Sequence, residues 1–149
     1  MKVSFTILIL IISSFTIGEL PVQDPEDSNT YQVVFNQFDI KRTGFTPDTL
    51  AKYPSGINGI KTHFAKNIRY PVKAAQKNQK GRVIVSHSVD TAGSVNEFIV
   101  VQSAGETFDK EVIRVTKEMT NWLPAIKDGK PVKVYYLEVV LFHGAKVRY

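Results

Sequence analysis

The sequence predicts an α+β domain over residues 53–143, a three-stranded antiparallel sheet with two helices packed on one face. Two segments repeat apolar residues at helical spacing, and two others alternate apolar and polar side chains around a short turn. A final apolar run contains no glycine or proline, which indicates a third strand. In chain order the predicted elements are helix 56–67, strands 82–90 and 95–102, helix 108–119 and strand 132–142.

The first helix follows Tyr53-Pro54-Ser55-Gly56, in which Ser55 is the expected N-cap. Its apolar stripe repeats every three or four residues: Ile57, Ile60, Phe64 and Ile68. Pro71 disfavours the helical conformation in the residue before it, so the helix ends before Tyr70. Proline also suits the first position of a helix, and a second, short helix is expected over 72–77.

The hairpin and the second helix complete the middle of the domain. Gly93 lies in the predicted turn and is free to adopt a positive φ. The helix places Phe108, Val112, Val115 and Met119 on one face, with Asp109 in its first turn. Trp122 follows this helix, and we expect it to pack in the core.

The last strand has an unusual composition on both faces. Strict alternation assigns Val132, Val134, Tyr136, Glu138, Val140 and Phe142 to the core face. Glu138 conflicts with that assignment, and a β-bulge or a position beyond the helices would resolve the conflict. His87 is similarly unusual on the core face of the first strand, and we expect it to be hydrogen-bonded or partly exposed at the margin of the core. The outer face carries Tyr135, Leu137, Val139 and Leu141, to which Ile99 and Val101 add, an apolar patch of the kind that marks an interface. The alternative is that the patch is covered within the chain, by Tyr31–Phe38 or by the basic tail.

The segments outside the domain predict export. Residues 3–17 form an apolar run behind Lys2, shorter than a bilayer span, so residues 1–18 are expected to be a cleaved signal peptide, with an uncleaved anchor as the alternative. An acidic, partly disordered leader is expected over 19–52, with Tyr31–Phe38 as a candidate added strand. A basic tail is expected at 144–149. We therefore expect a periplasmic or secreted protein, or an inner-membrane anchored one facing the periplasm.

Several function classes are disfavoured. The chain has no cysteine, and its three histidines show no metal-ligand spacing, so we expect no metal site and no cofactor. No nucleophile, base and orienting group occur in a recognisable set, so an enzyme is not expected. Residues 52–149 carry a net charge of +8, but the aromatic residues do not interleave with the basic ones, which argues against nucleic acid.

An ordered set of motifs resembles the TonB C-terminal domain. The set comprises Tyr70-Pro71, Ala74, Gly81-Arg82-Val83, Val89-Asp90, Gly93, Val95, Ser103, Asp109, Trp122, Pro124, Gly129-Lys130-Pro131-Val132 and a last strand through Phe142. The Tyr-Pro-Ser-Gly motif ahead of the first helix is similar to that of Bacteroidetes-type members. The resemblance covers about 90 residues without a large gap.

The resemblance implies a periplasmic module that binds an extended segment of an outer-membrane transporter at the edge of its last strand. It places partner contacts at Arg69, Tyr70 and Pro71, and along the strand at Val132, Lys133, Val134, Tyr135, Tyr136, Leu137, Val139 and Leu141. A structural or oligomerising envelope protein with the same fold is the alternative, and a homodimer through the last strand would suit it. Family transducers carry a histidine in the anchoring helix and a long proline-rich linker, which this chain lacks, so contact with inner-membrane motor proteins is not expected.

Overall fold

The computed structural model describes residues 31–144, of which residues 31–36 are described by their backbone alone. The predicted signal peptide at 1–18 and nearly all of the basic tail lie outside the described residues. The elements are β1 (Tyr31–Phe38), α1 (Ile40–Thr43), α2 (Gly56–Asn67), α3 (Val72–Gln76), β2 (Gly81–Val89), β3 (Val95–Gln102), α4 (Glu106–Lys117), β4 (Ala125–Lys127), β5 (Lys130–Val132) and β6 (Val134–Phe142).

The main sheet has four antiparallel strands in the order β1-β6-β2-β3. The predicted α+β class is confirmed, with the helices α2 and α4 on one face of the sheet. The prediction of three strands is wrong because the candidate strand Tyr31–Phe38 pairs with β6 and adds a fourth. A second, two-stranded sheet formed by β4 and β5 was not predicted.

The predicted boundaries hold to within about two residues, with one exception. The strand expected over 132–142 is divided, because Val132 belongs to β5 and pairs with Ala125, whereas β6 begins at Val134. Ser55 does occupy the N-cap position of α2, but it has a φ of 60° and its side chain makes no capping hydrogen bond. The turn at Gly56 is therefore made by the backbone rather than by a serine cap.

The core lies between the inner face of the sheet and the two long helices. Its central side chains are fully buried: Phe64, Val83, Val85, Val89, Phe108, Val112, Val115, Met119, Val134 and Val140. Two contacts hold the helices together: His63 Nε2 lies 2.9 Å from the carbonyl oxygen of Val115, and Arg114 donates to the carbonyl of Asn67 over 2.7 Å. Trp122 packs in this core as expected, with 4% of its surface exposed.

The turn at Gly93 requires glycine for two reasons, its positive φ and its close approach to Trp122, and this requirement can be tested. Gly93 has a φ of +79°, and a Cβ there would lie 2.0 Å from the carbonyl oxygen of Trp122. Gly129 has a similar φ of +71°, but nothing lies within 4 Å of its Cβ position. We expect Gly129→Ala to lower the free energy of unfolding by about 1 kcal/mol and Gly93→Ala by about 2–5 kcal/mol. Denaturant unfolding of both variants measures the difference, and equal losses would contradict the close approach.

Candidate functional site

The predicted partner-binding edge of the last strand is already occupied. β1 pairs with β6 over seven Cα partners, from Tyr31 opposite Phe142 to Phe38 opposite Tyr136. β2 pairs with the other side of β6, so β6 is an internal strand and the prediction of a free edge is wrong. The physical reason is that residues 31–38 of the chain itself satisfy the N–H and C=O groups that the edge would otherwise expose.

The occupation continues beyond β1 into α1. The backbone N–H of Asp39 donates to the carbonyl of Tyr135 over 2.8 Å, and the N–H of Tyr135 donates to the hydroxyl of Thr43 over 3.0 Å. The side chain of Asp39 caps α1 by accepting from the N–H of Arg42. Residues 31–43 therefore satisfy the outer edge of β6 from Phe142 to Tyr135.

The structure divides the predicted contact residues between the two ends of β6. Arg69, Tyr70 and Pro71 lie at the Phe142 end, where the Tyr70 ring meets those of Phe108 and Phe142 at 5.4 and 5.6 Å. The Tyr70 hydroxyl donates to the carbonyl of Gln79, and burial raises the pKa of Tyr70. Arg69 keeps an exposed side chain, while its backbone N–H donates to Glu111.

The remaining predicted residues lie along β6 or at its other end. Val132 lies in β5 and Lys133 just before β6, about 30 Å from the Tyr70 end by the length of a nine-residue strand. Val134 and Tyr136 face the core and are buried. Tyr135, Leu137, Val139 and Leu141 lie on the outer face, as predicted. The predicted contact residues therefore do not form one compact cluster. They are distributed along β6 and at its two ends.

A polar cluster that the sequence did not predict holds α1 against the outer face. We call it the Glu97 clasp; it consists of Arg42, Ser86, Glu97, Lys133 and Tyr135. The Arg42 guanidinium lies 4.1 Å from the centre of the Tyr135 ring and donates to Ser86 Oγ over 2.8 Å. Glu97 accepts from Lys133 over 2.6 Å and from the Tyr135 hydroxyl over 2.5 Å.

Electrostatics and backbone geometry both mark Glu97 within the clasp. The hydrogen bonds from Lys133 and then Tyr135 hold the pKa of Glu97 below its usual range. Glu97 has a φ of 52° at a β-bulge opposite β2, and the bulge turns the strand locally. No sequence pattern marks this cluster, because Arg42 and Glu97 are 55 residues apart and neither lies in a motif.

The outer apolar face is only partly covered. The prediction that Tyr31–Phe38 could cover it is wrong, because that segment pairs at the edge of β6 and does not lie across the face. Ile84 and Val139 are each 6% exposed, whereas Ile99 and Val101 on β3 are 51% and 56% exposed. An apolar patch therefore remains accessible on the outer face, formed by Leu137, Leu141, Ile99 and Val101. The homodimer through this face stays a prediction.

The two unusual core residues form a buried pair. His87 Nε2 lies 3.1 Å from Glu138 Oε1, and both side chains are fully buried. The imidazole stacks between Phe98 and Tyr136, with Trp122 at its edge. Neither a bulge at Glu138 nor a position outside the core explains the carboxylate, and His87 is not at the core's margin. The pairing of β2 with β6 brings them together.

An open pocket of about 390 Å³ lies at the start of α2. Its lining combines aromatic and aliphatic side chains with two lysines: Phe38, Leu50, Ala51, Lys52, Tyr53, Gly56, Ile57, Ile60, Lys61, Trp122 and Tyr136. The Phe38 ring packs edge-on against that of Tyr136 at 6.0 Å. Phe38, the last residue of β1, therefore lines this pocket together with the aromatic side chains of Tyr53, Trp122 and Tyr136.

The described residues contain no arrangement typical of a metal centre or a membrane span. No group of three or more histidine, aspartate or glutamate side chains within residues 31–144 is arranged to hold a metal ion. None of the helices in the same range has the length and apolar character needed to cross a bilayer.

Residues 66–143, slightly more than half of the chain, match the family model described as the Gram-negative bacterial TonB protein C-terminal. No individual curated protein matches the chain. The match identifies the family as a whole, so assignment to a Bacteroidetes-type subgroup stays a prediction from Tyr53–Gly56. The leader, α1 and most of the pocket lining precede the matched residues.

The buried pair predicts a specific pattern of stabilities. Glu138→Ala would leave His87 buried without its carboxylate, and we expect it to lower the free energy of unfolding by about 3–5 kcal/mol. The double variant His87→Phe/Glu138→Val replaces both polar groups by apolar ones and should recover most of that loss. Denaturant unfolding of the two variants checks the coupling, and a double variant as unstable as Glu138→Ala would contradict it.

Tyr136 predicts a loss of stability in alkali. Burial and then the charge of Glu138 raise the pKa of Tyr136 to about 12, from an ordinary value of 10.0. The folded state disfavours the phenolate, so this stabilisation is complete below pH 10 and is lost as pH rises towards 12. Across that window the wild type should lose about 2–3 kcal/mol more than Tyr136→Phe. Parallel stability curves from denaturant unfolding would contradict this assignment.

Proposed function

Because the chain belongs to the TonB C-terminal domain family, we propose that it captures an extended segment of an outer-membrane transporter or a related envelope protein. The family consists of non-catalytic protein-interaction domains of the periplasm, and a TonB-like envelope role follows from membership. The capture of a transporter segment by this chain is the proposal. It assigns binding to the edge of β6 and to Arg69–Pro71, and it assigns no catalytic residue.

The pairing of β1 with β6 carries the proposal. It supports strand addition because a separate extended segment of eight residues fits against this edge in antiparallel register. Backbone hydrogen bonds supply most of the affinity in strand addition, so a partner segment needs an extended conformation more than one fixed sequence. The outer edge of β6 can accept such an extended segment from Phe142 to Tyr136, because β1 pairs with it over that length.

Arg69–Pro71 support the proposal at one end of the edge. The Tyr70 ring is packed against Phe142, so the chain before Pro71 is fixed beside the end of β6. The exposed Arg69 side chain adds a positive charge there. A segment that follows β6 towards Phe142 would meet this residue as it leaves the edge.

A structural or oligomerising role is the second candidate, and one observation favours it. The chain fills its own edge, and Ile99 and Val101 leave an apolar surface on β3, the other edge strand. A protein of this kind would keep the fold without capturing a transporter. Export to the periplasm by residues 1–18 is part of both proposals.

A titration tests capture directly. The probe is a synthetic peptide that copies the N-terminal extended segment of a TonB-dependent transporter encoded in the same genome. We expect the backbone amide signals of β6 to shift in NMR spectra of the full chain as the peptide is added. Saturable binding that shifts only β3 signals would place the site elsewhere, and no binding by either the full chain or a variant in which β1 cannot pair would favour the structural role.

Arg69 offers a matched charge test in the same titration. Arg69→Ala should weaken binding of that peptide about two- to fivefold, because an exposed interface charge contributes modestly. Lys73→Ala removes the same charge from an exposed position on α3 and should leave the affinity unchanged. Equal losses in the two variants would indicate only a general attraction between charges.

A further inference from the structure

We propose that β1 is a tethered competitor, which occupies the partner-binding edge of β6 and must leave it before a partner segment can bind. The proposal rests on the proposed function, since it concerns regulation of the same edge. It also identifies the partner's chemistry as that of β1: an extended segment of about eight residues, rich in β-branched and aromatic side chains.

The first step is that both ligands need the same backbone groups. Residues 31–43 pair with the outer edge of β6 from Phe142 to Tyr135. β2 takes the inner edge over nine Cα partners and belongs to the hairpin that builds the core. A partner strand can therefore reach β6 only by replacing β1.

The second step is that β1 can leave without dismantling the domain. Among the β1 side chains that the structure describes, Gln37 is exposed and Phe38 only borders the core cluster. Among the side chains described from Gln37 onward, the buried core residues lie between Ala51 and Phe142. β6, β2 and β3 with both long helices would remain assembled, and the residues matched by the family all follow β1 in the chain.

The third step is that the pairing contains a local weakness. The register between β1 and β6 shifts between Val33 and Phe35, so Val34 has no Cα partner. A bulge of this kind interrupts the hydrogen-bond ladder near the middle of the strand. The Tyr31 half can then separate from β6 before the Phe38 half does.

The fourth step is that β1 stays tethered when it separates. Phe38 packs on Tyr136 in the aromatic pocket, and Arg42 fastens α1 to the outer face through the Glu97 clasp. Phe38 is the last residue of β1 to pair with β6, and the contacts of Arg42 lie beyond β1 and do not depend on its pairing. A tethered strand of this length competes at an effective concentration on the order of millimolar, so only a segment that binds tightly displaces it.

A disulfide lock tests the proposal on the full chain. Gln32 and Leu141 are directly paired across β1 and β6, in the half of β1 that separates first, at a separation that suits a disulfide. The chain has no cysteine, so Gln32→Cys/Leu141→Cys can form only this bond within one molecule. The oxidised form holds β1 in place, and the reduced form of the same protein is the control. The single variants Gln32→Cys and Leu141→Cys control for side-chain effects.

The probe is a synthetic peptide of residues 28–39, which contains β1 with polar ends. As a separate molecule, this peptide can pair with the outer edge of β6 only when β1 of the chain has left that edge. The oxidised lock should bind it at least about tenfold more weakly than the reduced form, because its competent fraction is close to zero. Equal binding of this peptide by the two forms would overturn the proposal.

A released variant gives the converse result. Val33→Pro/Phe35→Pro removes two backbone donors and prevents pairing of β1, so the 28–39 peptide should bind at least about tenfold more tightly than to the wild type. Leu123→Ala, at an exposed position outside residues 31–43 and outside β6, is the control and should change nothing. No gain in the released variant would also overturn the proposal.

The same proteins separate this proposal from the proposed function. If the 28–39 peptide binds as described but the transporter peptide does not bind the released variant, the edge is self-occluded and capture of a transporter segment fails. If the transporter peptide binds the oxidised lock and the released variant equally, capture stands and competition by β1 is wrong.

Discussion

The backbone groups along the outer edge of β6 impose the main constraint on this structure. An unpaired row of N–H and C=O groups on an apolar strand invites association with any extended chain. Here residues 31–43 satisfy that row, and the consequences extend through the leader. α1 lies on the outer face, and the Phe38 ring packs against that of Tyr136. The segment that leads to α2 then lines the open pocket together with Phe38 and Tyr136. Residues 31–52 of the leader are thus part of the folded unit, although the family match begins after them.

Local patterns predicted the local elements well. α2, β3 and the turn at Gly93 could be located because helical spacing, alternation and turn residues are each contained within a few neighbouring positions. Tyr31–Phe38 was correctly suspected to be a strand, but its partner could not be predicted, because alternation shows that a segment is extended and not which edge it joins. The Glu97 clasp could not be predicted for a related reason, since its members come from four separate segments: α1, β2, β3 and the start of β6.

His87 and Glu138 show how two local anomalies can share one explanation. Each contradicts the apolar pattern of its own strand, and the sequence suggests a separate explanation for each: a bulge or a position beyond the helices for Glu138, and a hydrogen bond or partial exposure at the core's margin for His87. The register between β2 and β6 places them on the same face of neighbouring strands, 3.1 Å apart between Nε2 and Oε1. A buried polar group is tolerated when it is hydrogen-bonded, so each residue makes the other acceptable. A shift of register by one residue would separate them, and the pair therefore favours the observed alignment of β6.

The contacts that hold the leader are of the kind that reversible occupancy requires. Exposed ion pairs contribute about 0–1 kcal/mol each, and the charged groups of the Glu97 clasp are between a quarter and a half exposed. The backbone pairing of β1 adds to this, but a partner strand would replace those hydrogen bonds by equivalent ones. Exchange at the edge therefore conserves most of the hydrogen bonding, and the balance depends on side chains and on the tether. The proposed competition by β1 rests on this balance, since a partner strand has only to exceed the side-chain contacts of β1 and the effect of the tether.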